Sequence, residues 1–313
     1  MKSPTPAGTR IRRPAATALA ASTVGALLSA CLLHDTASDG AVSTGEAGAP
    51  TALPAKVLAG YWQGWGTPSV RLGDVPEEYN VIMVAFAVGD DTGHARFSQS
   101  VQSTASFVAD VDKLRAAGRP VLLSVGGWDD GGLSITTTEQ EKALGDSLIG
   151  MIDAYHFQGI DWDLEHGFEA SRVADVTQRL KAHYGADFAV TMAPPLDKEH
   201  DPSQRDLAGR IKNVLDLVSP QYYNGGQSDP AWIVGHALDW GGVVGPDKVG
   251  MGFMTVKTAS DHGEQTPAAV CSMWRDLSAR VPQARGLMTW SINLDKTSGY
   301  RFARTCAEVV RAD

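Results

Sequence analysis

From residue 57 onward the chain carries eight short apolar runs, separated by longer segments with helical spacing. The runs fall at 57–62, 81–88, 120–125, 159–164, 188–192, 217–223, 249–254 and 286–292. Between them, Phe107, Val108, Val111 and Leu114 share one helical face, as do Leu144, Leu148, Ile149, Ile152 and Tyr155. Val173, Val176 and Leu180 repeat the spacing, as do Ile211, Val214 and Leu215, then Trp232, Ile233, His236 and Ala237, then Met273, Leu277 and Val281. Continuous apolar runs suit strands buried on both faces, and a period near 3.6 suits helices with one buried side. Their alternation over about 250 residues predicts a parallel sheet, and eight repeats predict a closed (β/α)8 TIM barrel. An open doubly wound sheet favours a glycine-rich phosphate loop after its first strand. Here that place holds Gly60-Tyr61-Trp62-Gln63-Gly64-Trp65, which is aromatic bulk rather than bare backbone. Only about 30 residues separate the last two runs, room for a loop and one helix, so no sizeable α+β insertion is expected there.

A barrel of this kind assembles its site from the ends of its strands. Polar and aromatic residues cluster at those ends: Tyr61, Trp62 and Trp65, Trp128 and Asp129, Met192, Gln221, Tyr223 and Asn224, and Trp290. The fourth run adds acids. In Gly159-Ile160-Asp161-Trp162-Asp163-Leu164-Glu165, three carboxyls stand at alternate positions. In a strand they share a face, about 6 to 7 Å apart. Three like charges in a shielded site cannot all stay ionised, so a proton is held or shared, which supplies a general acid near neutral pH. A calcium site is the competing explanation, but calcium loops place flexible turn residues between the ligands, whereas Trp162 and Leu164 stand here. An acidic centre with aromatic walls suits a carbohydrate, whose C–H faces stack on Trp or Tyr while its hydroxyls need directed hydrogen bonds. Core packing is the expectation for Trp162 and Trp240, and a place at the barrel mouth for Trp290. The histidines form no H-E-x-x-H pattern, so neither metal nor cofactor is expected.

The N-terminal stretch points to export. Its charged side chains before Cys31 are Lys2, Arg10, Arg12 and Arg13, followed by an apolar, small-residue segment at 15–30 of signal-peptide length. Leu28-Ser29-Ala30-Cys31 is similar to a bacterial lipobox, which implies a lipid on Cys31 and a membrane anchor facing the periplasm or cell exterior. The alternative is an ordinary signal peptide cut near Ala30, giving a secreted protein. Residues 31–55 are rich in Ala, Gly, Ser and Thr and read as a flexible tether, which leaves 56–313 as the catalytic domain. Without the four leader cations the balance is 23 Lys and Arg against 36 Asp and Glu, a net charge of −13. Such a surface repels nucleic acid and suits a neutral or cationic ligand. In an oxidising compartment Cys271 and Cys306 form either a bridge or two buried thiols.

The fourth run resembles the D-x-x-D-x-D-x-E signature of glycoside hydrolase family 18, the retaining chitinases and their relatives. Leu123-Ser124-Val125-Gly126-Gly127-Trp128 is similar to the family's S-x-G-G element, and Gln221-Tyr222-Tyr223-Asn224 to its sixth-strand element. Gly286-Leu287-Met288-Thr289-Trp290-Ser291-Ile292-Asn293 is similar to the eighth-strand ending, and Tyr61 and Met192-Ala193-Pro194 also match. The resemblance spans roughly 57–306 and implies roles. Glu165 matches the general acid and base, and Asp163 the residue that orients the substrate's N-acetyl group. Asp161 matches the inner acid that shares a proton with Asp163, and Tyr223 the tyrosine that bonds the acetamide. Trp290 matches the floor under the reacting sugar, and Tyr61, Met192 and Gln221 match positions around it, with Trp62, Trp128 and Asn224 as further candidate contacts. Acids rising from one strand are badly placed to flank a ring from both sides, as an ordinary retaining pair must, so a substrate carrying its own nucleophile fits better.

Three positions depart from the pattern. Gln158 replaces the signature's first Asp; it lies out of phase with the three acids, so it is not expected to join in proton transfer directly and is expected only to alter the pKa cascade modestly. Asn224 replaces an Asp common after the tyrosine, and Leu294 replaces a tryptophan of some relatives. The resemblance implies an endo-acting, monomeric hydrolase of chitin or N-acetylglucosamine oligosaccharides, and a shallow groove is expected. An endo-β-N-acetylglucosaminidase and a non-catalytic glycan-binding lipoprotein are the alternatives.

Overall fold

The computed structural model describes residues 53–196, 201–257 and 262–312. The export segment, Cys31 and the tether up to residue 52 lie outside the described residues. The apolar runs become strands: β1 (Val57–Gln63), β2 (Val81–Val88), β3 (Arg96–Phe97), β4 (Val121–Gly126), β5 (Gly159–Asp163), β6 (Ala189–Met192), β7 (Leu217–Val218), β8 (Gly250–Phe253) and β9 (Gly286–Thr289). β3 was not foreseen; it is a two-residue antiparallel addition to β2. The other strands of the described residues run parallel in the order β7-β6-β5-β4-β2-β1-β9-β8. Single bridges, Val218 to Val249 and Gln221 to Gly252, join the two ends and complete the (β/α)8 barrel. The sixth run forms a regular ladder only over Leu217–Val218, because Pro220 has no N–H to offer.

Strand alternation sorts the side chains into two cores. Val57, Ala59, Tyr61, Met83, Ala85 and Met288 fill the barrel interior. Leu58, Trp62, Ile82, Leu123, Ile160 and Trp162 face outward and pack in the larger cluster under the helices. Gly286 illustrates how tight the inner wall is, since a Cβ there would lie 1.8 Å from the carbonyl oxygen of Val57.

The covering helices are α1 (Thr104–Ala116), α2 (Thr138–Tyr155), α3 (Ala170–Tyr184), α4 (Asp201–Ile211), α5 (Pro230–Val244), α6 (Pro267–Arg280), α7 (Ile292–Thr297) and α8 (Arg301–Arg311). Their starts are written in the sequence as caps. Ser103, Asp229 and Thr266 each accept a backbone N–H in the first turn, and Thr137 with Gln140 forms a capping box. Three expectations need correction. Val214 and Leu215 follow the end of α4 instead of extending it, and Ile292 opens α7 instead of closing the last strand. Leu53, read as tether, is 7% exposed and packs with the inner core, its carbonyl accepting from Arg285. Between β8 and β9 the described residues contain α6 and no inserted subdomain. Among the described residues no helix is long and apolar enough to cross a membrane.

Cys271 on α6 and Cys306 on α8 are bridged, with Cα atoms 5.6 Å apart, which decides between the two thiol states left open above. A cross-link over 35 residues restricts the unfolded chain by about 3–4 kcal/mol. Cys271→Ala with Cys306→Ala is therefore expected to lower the thermal midpoint by several degrees, read by calorimetry, while leaving turnover at low temperature unchanged.

Candidate active site

The register of three neighbouring strands sets the inner acid. Ser124 on β4 and Thr191 on β6 both stand opposite Asp161 on β5. Asp161 is fully buried and lies 2.7 Å from the hydroxyls of Ser124 and Tyr61 through Oδ2, and 2.6 Å from that of Thr191 through Oδ1. Burial raises its pKa above the ordinary carboxylate value, and these donated hydrogen bonds take back only part of the rise.

Asp163 is two residues further up. Burial, then the charges of Asp161 and Glu165, push its carboxyl well above the ordinary range, and the Gln221 amide, 2.6 Å from Oδ1, offsets only part of this. Gln221 is fixed by a second bond, 2.9 Å to the carbonyl of Ala193. Both carboxyls are raised, Asp163 the further, so the arrangement favours holding the proton on Asp163, while three hydroxyl donors ease negative charge on Asp161. Tyr223 is buried, and burial together with Asp163, Glu165 and Asp161 raises its phenol, so it stays protonated and able to donate. Glu165 follows the end of β5 and is half-buried.

Aromatic rings line the neighbouring wall. Trp290 stands edge-on to Tyr61 at 5.4 Å and stacks on Phe86 at 5.5 Å with 10° between the planes. Phe86 also lies 6.0 Å from the half-exposed Trp65. Gly126 and Gly127 have φ of +110° and +85°, and a Cβ on Gly127 would come within 2.7 Å of the Phe86 ring. This turn sends Trp128 into solvent, 82% exposed. Asn224 is exposed in the left-handed region at φ 58°, its N–H bonded to the carbonyl of His262.

A buried carboxyl with its pKa raised by burial and by two further acids, near a phenol and a tryptophan, can hold and pass on a proton beside a stacked ring. The model of the glycosyl hydrolases family 18 matches residues 57–262, most of the barrel. The chain belongs to that family. Among curated relatives, chitinase Chi52 of Paenibacillus xylanexedens is 26% identical over 87% of this chain, and a chitinase of Enterococcus faecalis is 28% identical over 77%. The chain spans 63% of the length of the first and 82% of the second. A crystal structure assigned to chitinase A of Streptomyces coelicolor superposes with a TM-score of 0.78 at 28% identity, covering 83% of this chain and 99% of that one.

This family 18 barrel brings Tyr61, Asp161, Asp163, Gln221, Tyr223 and Trp290 together at one mouth, but three sequence readings fail. Trp62 lies on the outer side of β1; it is buried, its Nε1 donates to Val70 at 2.8 Å and its ring packs near Phe107 at 5.6 Å. Met192 pairs in register with Trp162 and shares the outer cluster, one step out of phase with the inward Thr191. Gln158 sits at the foot of β5, where its Oε1 accepts from Val121 at 2.9 Å and its amide donates to the His156 carbonyl. It braces backbone and takes no part in any carboxyl cascade. Two residues were missed. Phe86 read as one more apolar member of its run, and Thr191 carried no motif; strand phase relative to Asp161 is the signal that finds Thr191.

Proposed function

We propose that this chain is a chitinase, hydrolysing β-1,4-linked N-acetylglucosamine polymers or oligomers with retention through the substrate's own acetamide. The observation that carries the reading is the buried Asp163 carboxyl at the end of β5, 2.6 Å from the Gln221 amide and pushed well above the ordinary range by burial and by its neighbours Asp161 and Glu165. In the proposed first step Glu165 gives its proton to the glycosidic oxygen while the acetamide oxygen attacks the anomeric carbon and the bond to the leaving sugar breaks. Asp163 receives the acetamide N–H, and the Tyr223 phenol steadies the acetamide as it closes to an oxazolinium ion. Negative charge at Asp163 stabilises that cation, and the proton it releases moves toward Asp161, whose three hydroxyl partners are already in place. Water then adds at the same carbon and returns its proton to Glu165, so the configuration is retained overall.

Trp290 is assigned the floor under the reacting sugar, with Tyr61 and Phe86 behind it. The absence of an inserted subdomain between β8 and β9 among the described residues supports a shallow groove and internal cleavage. Export is the companion proposal, supported by the leader composition and by the Cys271–Cys306 bridge, which suits an oxidising compartment. Product analysis on defined oligomers tests the chemistry. Fully acetylated chains are expected to release new reducing ends, and fully deacetylated chains to stay intact. Comparable rates on both would overturn the mechanism.

A further inference from the structure

β5 ends at Asp163, two residues before the proposed proton donor, so sheet hydrogen bonds do not set the direction of the Glu165 carboxyl. The chain on either side of it is held by other means. The carbonyl of Asp163 accepts from Gly127 N–H at 2.8 Å, that of Leu164 from the amide of the buried Gln204 on α4, and that of Gly167 from Ile135 N–H at 2.8 Å. The remaining neighbour is His166. Its Nε2 lies 3.3 Å from Oδ2 of Asp130, in the loop after β4 that also carries Trp128. The Asp130 side chain is only 4% exposed, and its other oxygen accepts from Gly132 N–H at 2.8 Å. Its carbonyl accepts from Gly89 N–H at 2.8 Å, which ties this loop to the end of β2. A carboxylate this deeply buried needs a partner, and an imidazole that is itself 48% exposed reaches in to provide one. The core gains little from such a half-exposed side chain. The contact does link the residue next to Glu165 to the loop that carries Trp128.

We propose that His166 and Asp130 are positioning residues, which hold the Glu165 carboxyl on line with the leaving oxygen by tying its loop to the Trp128 loop. The inference rests on the reading of Glu165 as proton donor. Proton donation has its own kinetic signature, because a sugar leaving group needs the proton and an acidic phenol hardly does.

The test compares His166→Ala and His166→Gln on an N-acetylglucosamine oligomer and on the nitrophenyl glycoside of a shorter oligomer. His166→Ala is expected to lower kcat on the oligomer about tenfold or more, with KM changed less than about twofold, and to leave the nitrophenyl glycoside nearly untouched. His166→Gln keeps an N–H for Asp130 and should recover most of the loss. Asp130→Asn should show the same selectivity, and the double variant should be no slower than the slower single one. Because His166 is half exposed, its variants decide the matter even if Asp130→Asn fails to fold. Equal losses on both substrates, a loss confined to KM, or an unchanged kcat would overturn the proposal. Glu165→Gln run alongside separates the two claims. If its loss in single-turnover release of the leaving group, which precedes water attack, is equally large on both substrates, the proton-donor reading falls; if that loss is selective and that of His166→Ala is absent, only the positioning role falls.

Discussion

Glu165→Gln is expected to lower turnover of acetylated oligomers by about 10²- to 10⁴-fold while leaving their affinity nearly unchanged. The amide fills the same volume and keeps a hydrogen-bonding end, so the groove and the Trp290 floor are retained. It lacks an acidic proton for the leaving oxygen and a base for the incoming water, so both halves of the reaction suffer. Steady-state kinetics paired with calorimetric titration of an oligomer separates the two effects. A variant that turns over within a factor of about three of the parent would remove Glu165 from the mechanism.

Asp163→Asn is expected to cost about 10²-fold or more in turnover and, at the same time, to stabilise the fold at neutral pH. Burial, then Asp161 and Glu165, hold this carboxyl well above its ordinary value of 3.8. In the unfolded chain it returns to that value. Between the two, the folded state binds a proton that the unfolded state releases, so this group's contribution to stability falls as pH rises through the window. Asn makes no such demand, and its carbonyl still accepts from Gln221. The variant should therefore melt above the parent at pH 7, with the advantage closing as pH drops toward about 4, where both chains are neutral at this position. Calorimetry at the two pH values checks the sign. A variant less stable than the parent at pH 7 and equal to it at pH 4 would mean that Asp163 is ionised and paired in the resting fold.

Fold and site were legible to different depths in the sequence. The strand runs, the helical faces and the caps are local signals, and all eight barrel strands start within a residue or two of where the apolar runs begin. Asp161 and Asp163 were readable because their alternation on β5 encodes a shared face, whereas Glu165, at the next step of the same spacing, lies past the end of the strand. What failed was phase across strands. Met192 and Trp62 occur at strand ends, as site residues do, yet a single step along β6 or β1 turns a side chain from the mouth to the helix layer. Thr191 is the reverse case: an ordinary polar residue that becomes part of the site only once its register with Asp161 is known. Gln158 misled differently, since a motif position suggested electrostatics where the fold uses an amide to fasten backbone at the foot of β5. The bracket around Glu165 was invisible for a simpler reason, because Asp130 and Gln204 are distant in sequence and neither belongs to a recognisable motif.

The three hydroxyls around Asp161 have a practical meaning for anyone wishing to redesign the enzyme's working acidity. Each is an uncharged group acting on the most deeply enclosed carboxyl, so trimming Ser124 or Thr191 retunes where the mobile hydrogen rests without adding or deleting a formal charge in the groove. Residue 158, the obvious choice from motif comparison, offers no such handle.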